Sequence, residues 1–405
     1  MPDDSALDYR LAWRWLVPAR ADDRVGQYGF SAEEERFLRN ALPRIAWQEE
    51  AASIDVWIVN ALSDAPDISR TEQAQRVCVL ADRKQGKVWR NALRAKFANV
   101  REYALLPAGS PRVVVPLSST QNAVCALSLH RPGRRMAQVG VNVARWLARV
   151  GYYALLQERV LLVASRLSMP APYGAIQAGL GGQKDYALYL GTPDDNRKTV
   201  VLPLERGVPD VIVKMGASPK ARAALANEAD ALRVLSGSPL ARSVPKLFDV
   251  ISAEGHIALH QEYRPRMWVS RQALENEVVA FLGRLSALDS KWKHLAEVLA
   301  SMSCQAGEGL PQVVGQAYQE LYGRLKQYAE AGLMICFHRS HGDLAPWNCL
   351  WSEQGLFVYD WEASEPQGMA LGDAFAYATA PALLLQRKPS PDRTLLAALR
   401  MANKV

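Results

Sequence analysis

The sequence is poor in cysteine. Its 405 residues include only five cysteines, which lie far apart and form no CxxC pair. An odd number of widely spaced cysteines argues against a disulfide framework and against a cysteine zinc site. This usage is typical of a reducing compartment, so we expect a cytoplasmic protein.

The chain also lacks long uninterrupted apolar runs. The first ten residues, MPDDSALDYR, contain no apolar segment of the signal-peptide kind. The apolar stretch at 152–164 is interrupted by Glu158 and Arg159, and the stretch at 375–385 is too short to span a bilayer. We therefore expect a soluble protein with no transmembrane segment.

Several common catalytic motifs are missing as well. Residues 1–170 contain no Walker loop, no GxGxxG after a strand and no HExxH, so this region carries no catalytic signature. No nucleic-acid-binding motif is evident either.

Negative charge is scarce in one region. The net charge is +7, and residues 83–149 hold thirteen basic residues against a single acid, Glu102. This excess is either an ordinary solvated face or a contact surface for an anionic partner. An anionic glycan, a lipid head group and a nucleic acid all remain open.

The length predicts two or three domains. Residues 1–170 resemble a mixed α/β domain of unknown role. Short apolar and β-branched runs predict strands at 55–62, 76–81, 112–117 and 123–129. Apolar residues at helical spacing over 136–167 predict one long helix, or two joined near Gly151. Turn-forming residues at 168–174 predict a domain boundary.

The pattern changes after this boundary. Alternating residues predict three consecutive strands at 186–191, 199–205 and 210–216, followed by a helix over 219–235. Two further strands and a mostly helical remainder follow, including a helix over 312–331. This order predicts a kinase-like N-lobe at 171–264 and a helical C-lobe at 265–405.

The segment most informative about chemistry is SHGDLAPWNCLWSEQGLFVYDWEAS, residues 340–364. Phosphoryl transfer requires an oriented acceptor hydroxyl, a group that accepts its proton, and divalent ions held at the phosphates. Asp343 suits the role of catalytic carboxylate, and Asn348, five residues later, offers an amide oxygen to a metal. Asp360 ends an apolar strand and adds a second hard oxygen ligand of the kind that Mg²⁺ prefers.

HGDLAPWN followed by YDWE resembles the catalytic motifs of the aminoglycoside phosphotransferase and choline kinase family, in the protein-kinase-like superfamily. The resemblance covers about residues 175–385. Protein kinases instead show HRDLKxxN and DFG, whereas this chain has Gly342 and the pair Trp361-Glu362. The resemblance implies a two-lobed kinase fold, ATP and Mg²⁺ as cofactors, and transfer of the γ-phosphate to a small-molecule hydroxyl.

The resemblance also implies roles for residues outside the catalytic loop. Lys214 would contact the α- and β-phosphates, and Glu228 on the following helix would hold it. The alternative is that Lys214 is a surface residue on an edge strand. His341 is either structural or a competing base, and the resemblance favours the structural role. Asp373 resembles the aspartate that anchors the catalytic loop.

The phosphate-covering loop is ambiguous because the chain has no GxGxxG there. Residues 191–198, with Gly191 at the start and Asn196 at the tip, are one candidate. The glycine-rich segment at 178–184 is the other. Backbone groups of 260–263 are the candidate adenine-binding hinge.

Two functions remain open from the sequence. One is a small-molecule kinase, and the other is a catalytically weak or inactive kinase-fold scaffold. Stretches of the N-terminal region loosely resemble phosphotransferases that accompany bacterial polysaccharide genes. That resemblance suggests a saccharide or lipid-linked saccharide as the acceptor.

Overall fold

The computed structural model of the chain divides into two compact units. The first comprises Met1–Leu225 and Phe248–Tyr263, and the second Ala226–Leu247 and Arg264–Val405. The structure describes residues 7, 10–20, 22–42, 45–48, 54–62, 68–129, 135–173, 179–180, 184–191, 195–209, 211–253, 255–301, 312–386 and 390–405.

The first unit is organised by one twelve-stranded sheet, in the order β11-β12-β10-β9-β8-β6-β5-β7-β4-β3-β1-β2. Its strands are β1 (Arg24–Tyr28), β2 (Ala46–Trp47), β3 (Val56–Ala61), β4 (Arg76–Asp82), β5 (Asn99–Leu106), β6 (Val113–Pro116), β7 (Arg159–Ser165), β8 (Asp185–Leu190), β9 (Thr199–Leu204), β10 (Val211–Gly216), β11 (Leu247–Ala253) and β12 (His256–Glu262). The strands from β1 to β4 pair in parallel, and those from β4 to β12 pair antiparallel.

Helices pack around this sheet. They are α1 (Ala32–Ala41), α2 (Arg83–Lys96), α3 (Thr120–Leu129), α4 (Arg135–Arg149) and the first part of α5 (Pro219–Ser236). On one face, α1 packs Leu38 into a core with Trp13 and Ile58. On the other, α2 packs Trp89 and Leu93 against the sheet. Burial of such side chains contributes roughly 1.5–3 kcal/mol each.

Two secondary-structure predictions for the N-terminal region are wrong. Residues 123–129, predicted as a strand, belong to α3, where Ala123, Ala126 and Leu127 are buried at helical spacing. Residues 136–167 are not continuously helical, because α4 ends at Arg149 and the chain then forms β7. In both cases a short apolar run left helix and strand indistinguishable by period. The strands predicted near 55–62, 76–81 and 112–117 are confirmed as β3, β4 and β6.

The kinase-like element order predicted after the boundary is confirmed. β8, β9 and β10 form an antiparallel series, α5 follows, and β12 pairs with β10. The predicted boundary near residue 170 falls between β7 and β8, which belong to the same sheet. The division at 1–170, 171–264 and 265–405 stays a prediction.

Polar contacts connect the two sides of that boundary. Asn122 on α3 donates to the carboxylate of Asp185 over 2.8 Å and accepts from the Gly207 backbone N–H over 2.6 Å. Asn122 is buried, so these bonds satisfy an amide that would be costly to leave unpaired.

The second unit is mainly helical. Besides the end of α5 it contains α6 (Arg271–Ser286), β13 (Lys291–His294), α7 (Leu295–Ser301), α8 (Gln312–Glu330), β14 (Met334–Ser340), β15 (Cys349–Ser352), β16 (Gly355–Val358), β17 (Glu365–Met369), α9 (Gly372–Leu385) and α10 (Pro391–Ala402). The helix predicted over 312–331 is confirmed as α8. β13, β14 and β17 form a small sheet, and β15 pairs with β16 as a hairpin.

The core of the second unit lies around α6 and the segment after β16. Phe281 and Trp361 are fully buried there, with ring centroids 6.2 Å apart. Trp361 also donates its indole N–H to the carbonyl of Val358 over 3.0 Å, so its one polar group is satisfied. Among the described helices, none is both long enough and apolar enough to cross a bilayer.

Candidate active site

The predicted catalytic loop follows β14 and is anchored by Asp373 of α9. One carboxylate oxygen of Asp373 accepts from the His341 backbone N–H over 2.6 Å, and the other from that of Gly342 over 3.0 Å. Asp373 is buried, and such charge-assisted bonds are among the stronger ones in proteins. The anchoring role expected for Asp373 is confirmed.

His341 is fully buried and uses both ring nitrogens for backbone contacts. Its Nδ1 accepts from the Asp343 N–H at 3.3 Å, and its Nε2 lies 3.0 Å from the carbonyl of Tyr359. This pattern assigns the proton to Nε2. Its ring centroid is 4.6 Å from that of Trp361. His341 therefore connects the catalytic loop to the residue before Asp360, as the structural interpretation expected.

Gly342 is required by the backbone itself. Its φ is +81°, in the left-handed region, and a Cβ placed there would lie 2.0 Å from the carbonyl oxygen of Ala363. Only glycine allows the catalytic loop to approach the 361–364 segment this closely. The glycine of the HGD motif is thus a packing requirement.

Asp343 and Asn348 lie at opposite ends of one tight loop. The Nδ2 of Asn348 donates to the backbone carbonyl of Asp343 over 2.8 Å. This bond orients the buried Asn348 amide so that its oxygen points away from that carbonyl. Asp343 itself is exposed, which suits a group that must reach an acceptor.

The electrostatic environment of Asp343 favours its protonated form more than water does. Desolvation by the surrounding protein raises the pKa of the Asp343 carboxyl, and the charges of Asp360 and Asp373 act in the same direction. The His341 imidazole and a hydrogen bond from Asn348 act in the opposite direction without cancelling the shift. A carboxylate with a raised pKa is a better proton acceptor near neutral pH.

Three carboxylates come together beside this loop. Oxygens of Glu228, Asp360 and Glu362 all lie within 4.8 Å of one another. Asp360 has φ 73° and ψ 54°, a left-handed conformation that is uncommon outside glycine and clusters at functional sites. Glu228 is fully buried on α5. From the sequence, Glu362 is visible only as a departure from the DFG motif. Its position two residues after Asp360 is the feature that could have identified it as part of the cluster.

Asn227 holds the carboxylate segment in place. Its side-chain amide donates to the carbonyls of Glu362 over 2.9 Å and of Ser364 over 2.8 Å. Ser364 in turn donates to the carbonyl of Ser340 over 2.8 Å. The contribution of Asn227 was missed from the sequence, because nothing in the local pattern distinguishes it from an exposed helical asparagine.

The donor set fits a divalent cation. Three converging carboxylates, one fully buried, repel one another unless a proton or a cation lies among them. Carboxylate and amide oxygens are the ligands that Mg²⁺ and Ca²⁺ take. Such an ion would be held by Glu228, Asp360 and Glu362. The side-chain amide of Asn348, in the catalytic loop, offers a further oxygen. A bound cation would supply charge neutralisation at the phosphates.

The remaining predicted residues belong to the first unit. Lys214 is buried in β10, between β9 and β12, with Val200 and Leu259 as its register partners. It is therefore not on an edge strand. Gly191 follows β8, and its N–H donates to the carbonyl of Lys198 over 3.0 Å. Residues 192–194 and most of the rival segment at 178–184 lie outside the described residues.

The turn that contains Asn196 lies beside the start of α5. The Ser218 hydroxyl donates to the carbonyl of Asp195 and accepts from the Ala221 N–H over 3.0 Å, which caps the helix. A helix N-terminus attracts anions. The roles of Gly191, Asn196, Lys214 and the hinge at 260–263 stay predictions.

An anchored Asp–Asn loop beside a carboxylate cluster offers the groups that phosphoryl transfer requires. Residues 194–367 match the family model described as the phosphotransferase enzyme family. The resemblance inferred from the motifs is therefore confirmed for this part of the chain. No curated protein sequence matches the chain.

Solved structures with partial similarity include three phosphotransferases. The gentamicin complex of APH(2")-IIa is 16% identical, covers 53% of this chain and 76% of its own, and has a TM-score of 0.35. APH(3'')-Id from Streptomyces rimosus is 16% identical, with coverages of 56% and 86% and a TM-score of 0.34. Choline kinase LicA from Streptococcus pneumoniae is 15% identical, with coverages of 51% and 78% and a TM-score of 0.32.

Proposed function

We propose that this protein transfers the γ-phosphate of ATP to a hydroxyl group of a small molecule. The observation that carries the proposal is the placement of Asp343 and Asn348 on a loop fixed by Asp373, next to the carboxylates Glu228, Asp360 and Glu362. The match of residues 194–367 to the phosphotransferase family supports the same reaction.

In the proposed reaction, Asp343 orients the acceptor hydroxyl and accepts its proton as the oxygen bonds to the γ-phosphorus. The bond from that phosphorus to the β–γ bridging oxygen breaks, and ADP leaves. Catalysis then depends mainly on positioning and charge stabilisation. Lys214 is assigned to the α- and β-phosphates, and Gly191 and Asn196 to the loop above them.

The acceptor is proposed to be a saccharide or a lipid-linked saccharide. The support is the loose resemblance of the N-terminal region to phosphotransferases of polysaccharide gene clusters. A screen of hydroxyl-bearing metabolites with labelled ATP tests this assignment. Transfer of label to amino alcohols but to no saccharide would contradict it.

Isothermal titration with MgATP tests the site itself. We expect metal-dependent binding by the wild type and its loss in Asp360→Ala, because that change removes a central carboxylate from the cluster. Glu353→Ala is the matched control, since Glu353 lies exposed in the β15–β16 turn and should bind as the wild type does. Absence of MgATP binding by the wild type would contradict the enzyme proposal and favour a scaffold role.

A further inference from the structure

Helix α4 presents apolar side chains to solvent. Met136, Val139, Val143, Trp146 and Val150 recur every three or four residues and are 50–83% exposed. At 100° per residue they occupy one side of the helix. We call this row the apolar ridge; over fifteen residues it is about 22 Å long.

The opposite side of α4 is the one that packs against the protein. Ala148 is fully buried in a core with Leu127 and Leu156, and Arg145 donates to the carbonyl of Leu127 over 3.1–3.2 Å. The ridge is therefore not the core-facing stripe of an ordinary amphipathic helix. An exposed apolar row of this size marks an interaction surface.

A row of cations runs along helix α2. Arg83, Lys87, Arg90 and Arg94 recur on α2 at intervals of four, three and four residues, which places them on one side. We call this row the basic stripe. Arg90 bonds to Glu102 on β5 over 2.9 Å, so the stripe faces the β5 side of α2.

The ridge and the stripe lie on the same face of the sheet. Val160, in the core beneath α2, is the register partner of Ala104, which belongs to the core beneath α4. Gln157, just after the short 3₁₀ helix that follows α4, donates to Glu102 over 2.8 Å, the same carboxylate that Arg90 contacts. The segment after α4 thus borders the basic stripe.

We propose that this face binds the surface of a bilayer that contains anionic lipids. The ridge would enter the boundary between head groups and acyl chains. The exposed cations of the basic stripe, Arg83, Lys87 and Arg94, would contact the head groups, while Arg90 stays paired with Glu102. A helix with aliphatic and tryptophan side chains on its free side, flanked by lysine and arginine, has the composition of an interfacial membrane helix. The proposal does not depend on the phosphotransferase function.

Charge distinguishes this occupant from the alternatives. A second copy of the chain docked through the same face would bring two basic stripes together, and like charges repel. A nucleic acid would complement the stripe but would leave the aliphatic ridge in water. An anionic bilayer satisfies both features at once.

Vesicle flotation of the full chain tests the proposal. We expect binding to vesicles of mixed phosphatidylcholine and phosphatidylglycerol, and much weaker binding to phosphatidylcholine alone. Val143→Glu/Trp146→Glu should weaken binding at least about tenfold, because it places two charges on the ridge. Lys87→Ala/Arg94→Ala should weaken binding roughly 30-fold, because each cation near an anionic surface contributes about fivefold to the affinity.

Two matched controls separate specific from general effects. Arg393→Ala/Arg400→Ala removes two exposed cations from α10, and Trp292→Glu changes an exposed tryptophan on β13. Both should bind as the wild type does. The proposal is overturned by equal binding to neutral and anionic vesicles, or by no binding to either. It is also overturned if the chain binds no vesicles and sedimentation shows a dimer that Val143→Glu/Trp146→Glu abolishes.

Discussion

Substitution of Gly342 by alanine should destabilise the second unit far more than the same substitution at Gly355. Both glycines have positive φ, +81° and +95°, so each alanine pays the left-handed penalty of about 1–2 kcal/mol. The space around them differs. A Cβ at Gly355 has no heavy atom of the described structure within 4 Å, whereas one at Gly342 lies 2.0 Å from a backbone carbonyl.

The extra cost at Gly342 follows from what must move. Favourable contacts have separations of about 3.5–4.0 Å, so the loop must shift away from Ala363 by more than about 1 Å. That shift strains the bonds from the His341 and Gly342 N–H groups to Asp373. Loss of even one such bond to a charged acceptor adds about 1.5–3 kcal/mol. The expected total is about 2.5–5 kcal/mol, against about 1–2 kcal/mol at Gly355.

Urea unfolding followed by tryptophan fluorescence measures both variants against the wild type. Gly342→Ala should show the larger fall in midpoint and also lose MgATP turnover, whereas Gly355→Ala should keep most of both. Equal losses at the two positions would refute the argument, because the close approach to Ala363 would then have no energetic consequence.

Three further predictions concern Asp343 and Asp373, the residue of α9 that anchors its loop. Asp343→Asn should leave MgATP binding nearly intact while turnover falls by about two or more orders of magnitude. Because desolvation and the charges of Asp360 and Asp373 raise the pKa of Asp343, wild-type turnover should decline on acidification at a higher pH than an ordinary aspartate would cause. A pH–rate profile without such an acid limb would contradict this assignment. Asp373→Asn should cost about 2–4 kcal/mol, because one of two backbone N–H groups loses a charged acceptor. Asp392→Asn, at an exposed position, serves as the control in the same unfolding assay. Equal urea midpoints for the two variants would contradict the anchoring role of Asp373.

The part of the fold in which short apolar runs are separated by turn residues could be predicted from the sequence. Strands β8, β9 and β10 and helix α5 lie within one or two residues of their predicted bounds. The predictions failed where the apolar residues of a segment suited a helix and a strand equally well. Strand β7 is buried along nearly its whole length, and its continuous apolar sequence does not distinguish a strand from part of a helix. Residues 123–129 show the opposite error, since they are predicted as a strand and belong to helix α3.

The candidate site could be predicted where the chemistry depends on residues close in sequence. Asp343, Asn348 and Asp360 lie within one short segment, and their residue types reflect the reaction. Glu362 and Asn227 could not be assigned, because their contributions depend on which carbonyls and carboxylates the fold places near them. The anchor Asp373 was found only through resemblance, thirty-two residues from its partner His341.

The pairing of β6 with β8 has a practical implication for anyone who wishes to isolate the phosphotransferase segment. Val113 and Val114 pair with Tyr189 and Leu188, so a shortened version that begins at residue 171 would leave β8 as a bare sheet edge. Such an edge is a template for aggregation. The strand that covers this edge of β8 comes from the first 170 residues, so a version that keeps them protects the edge.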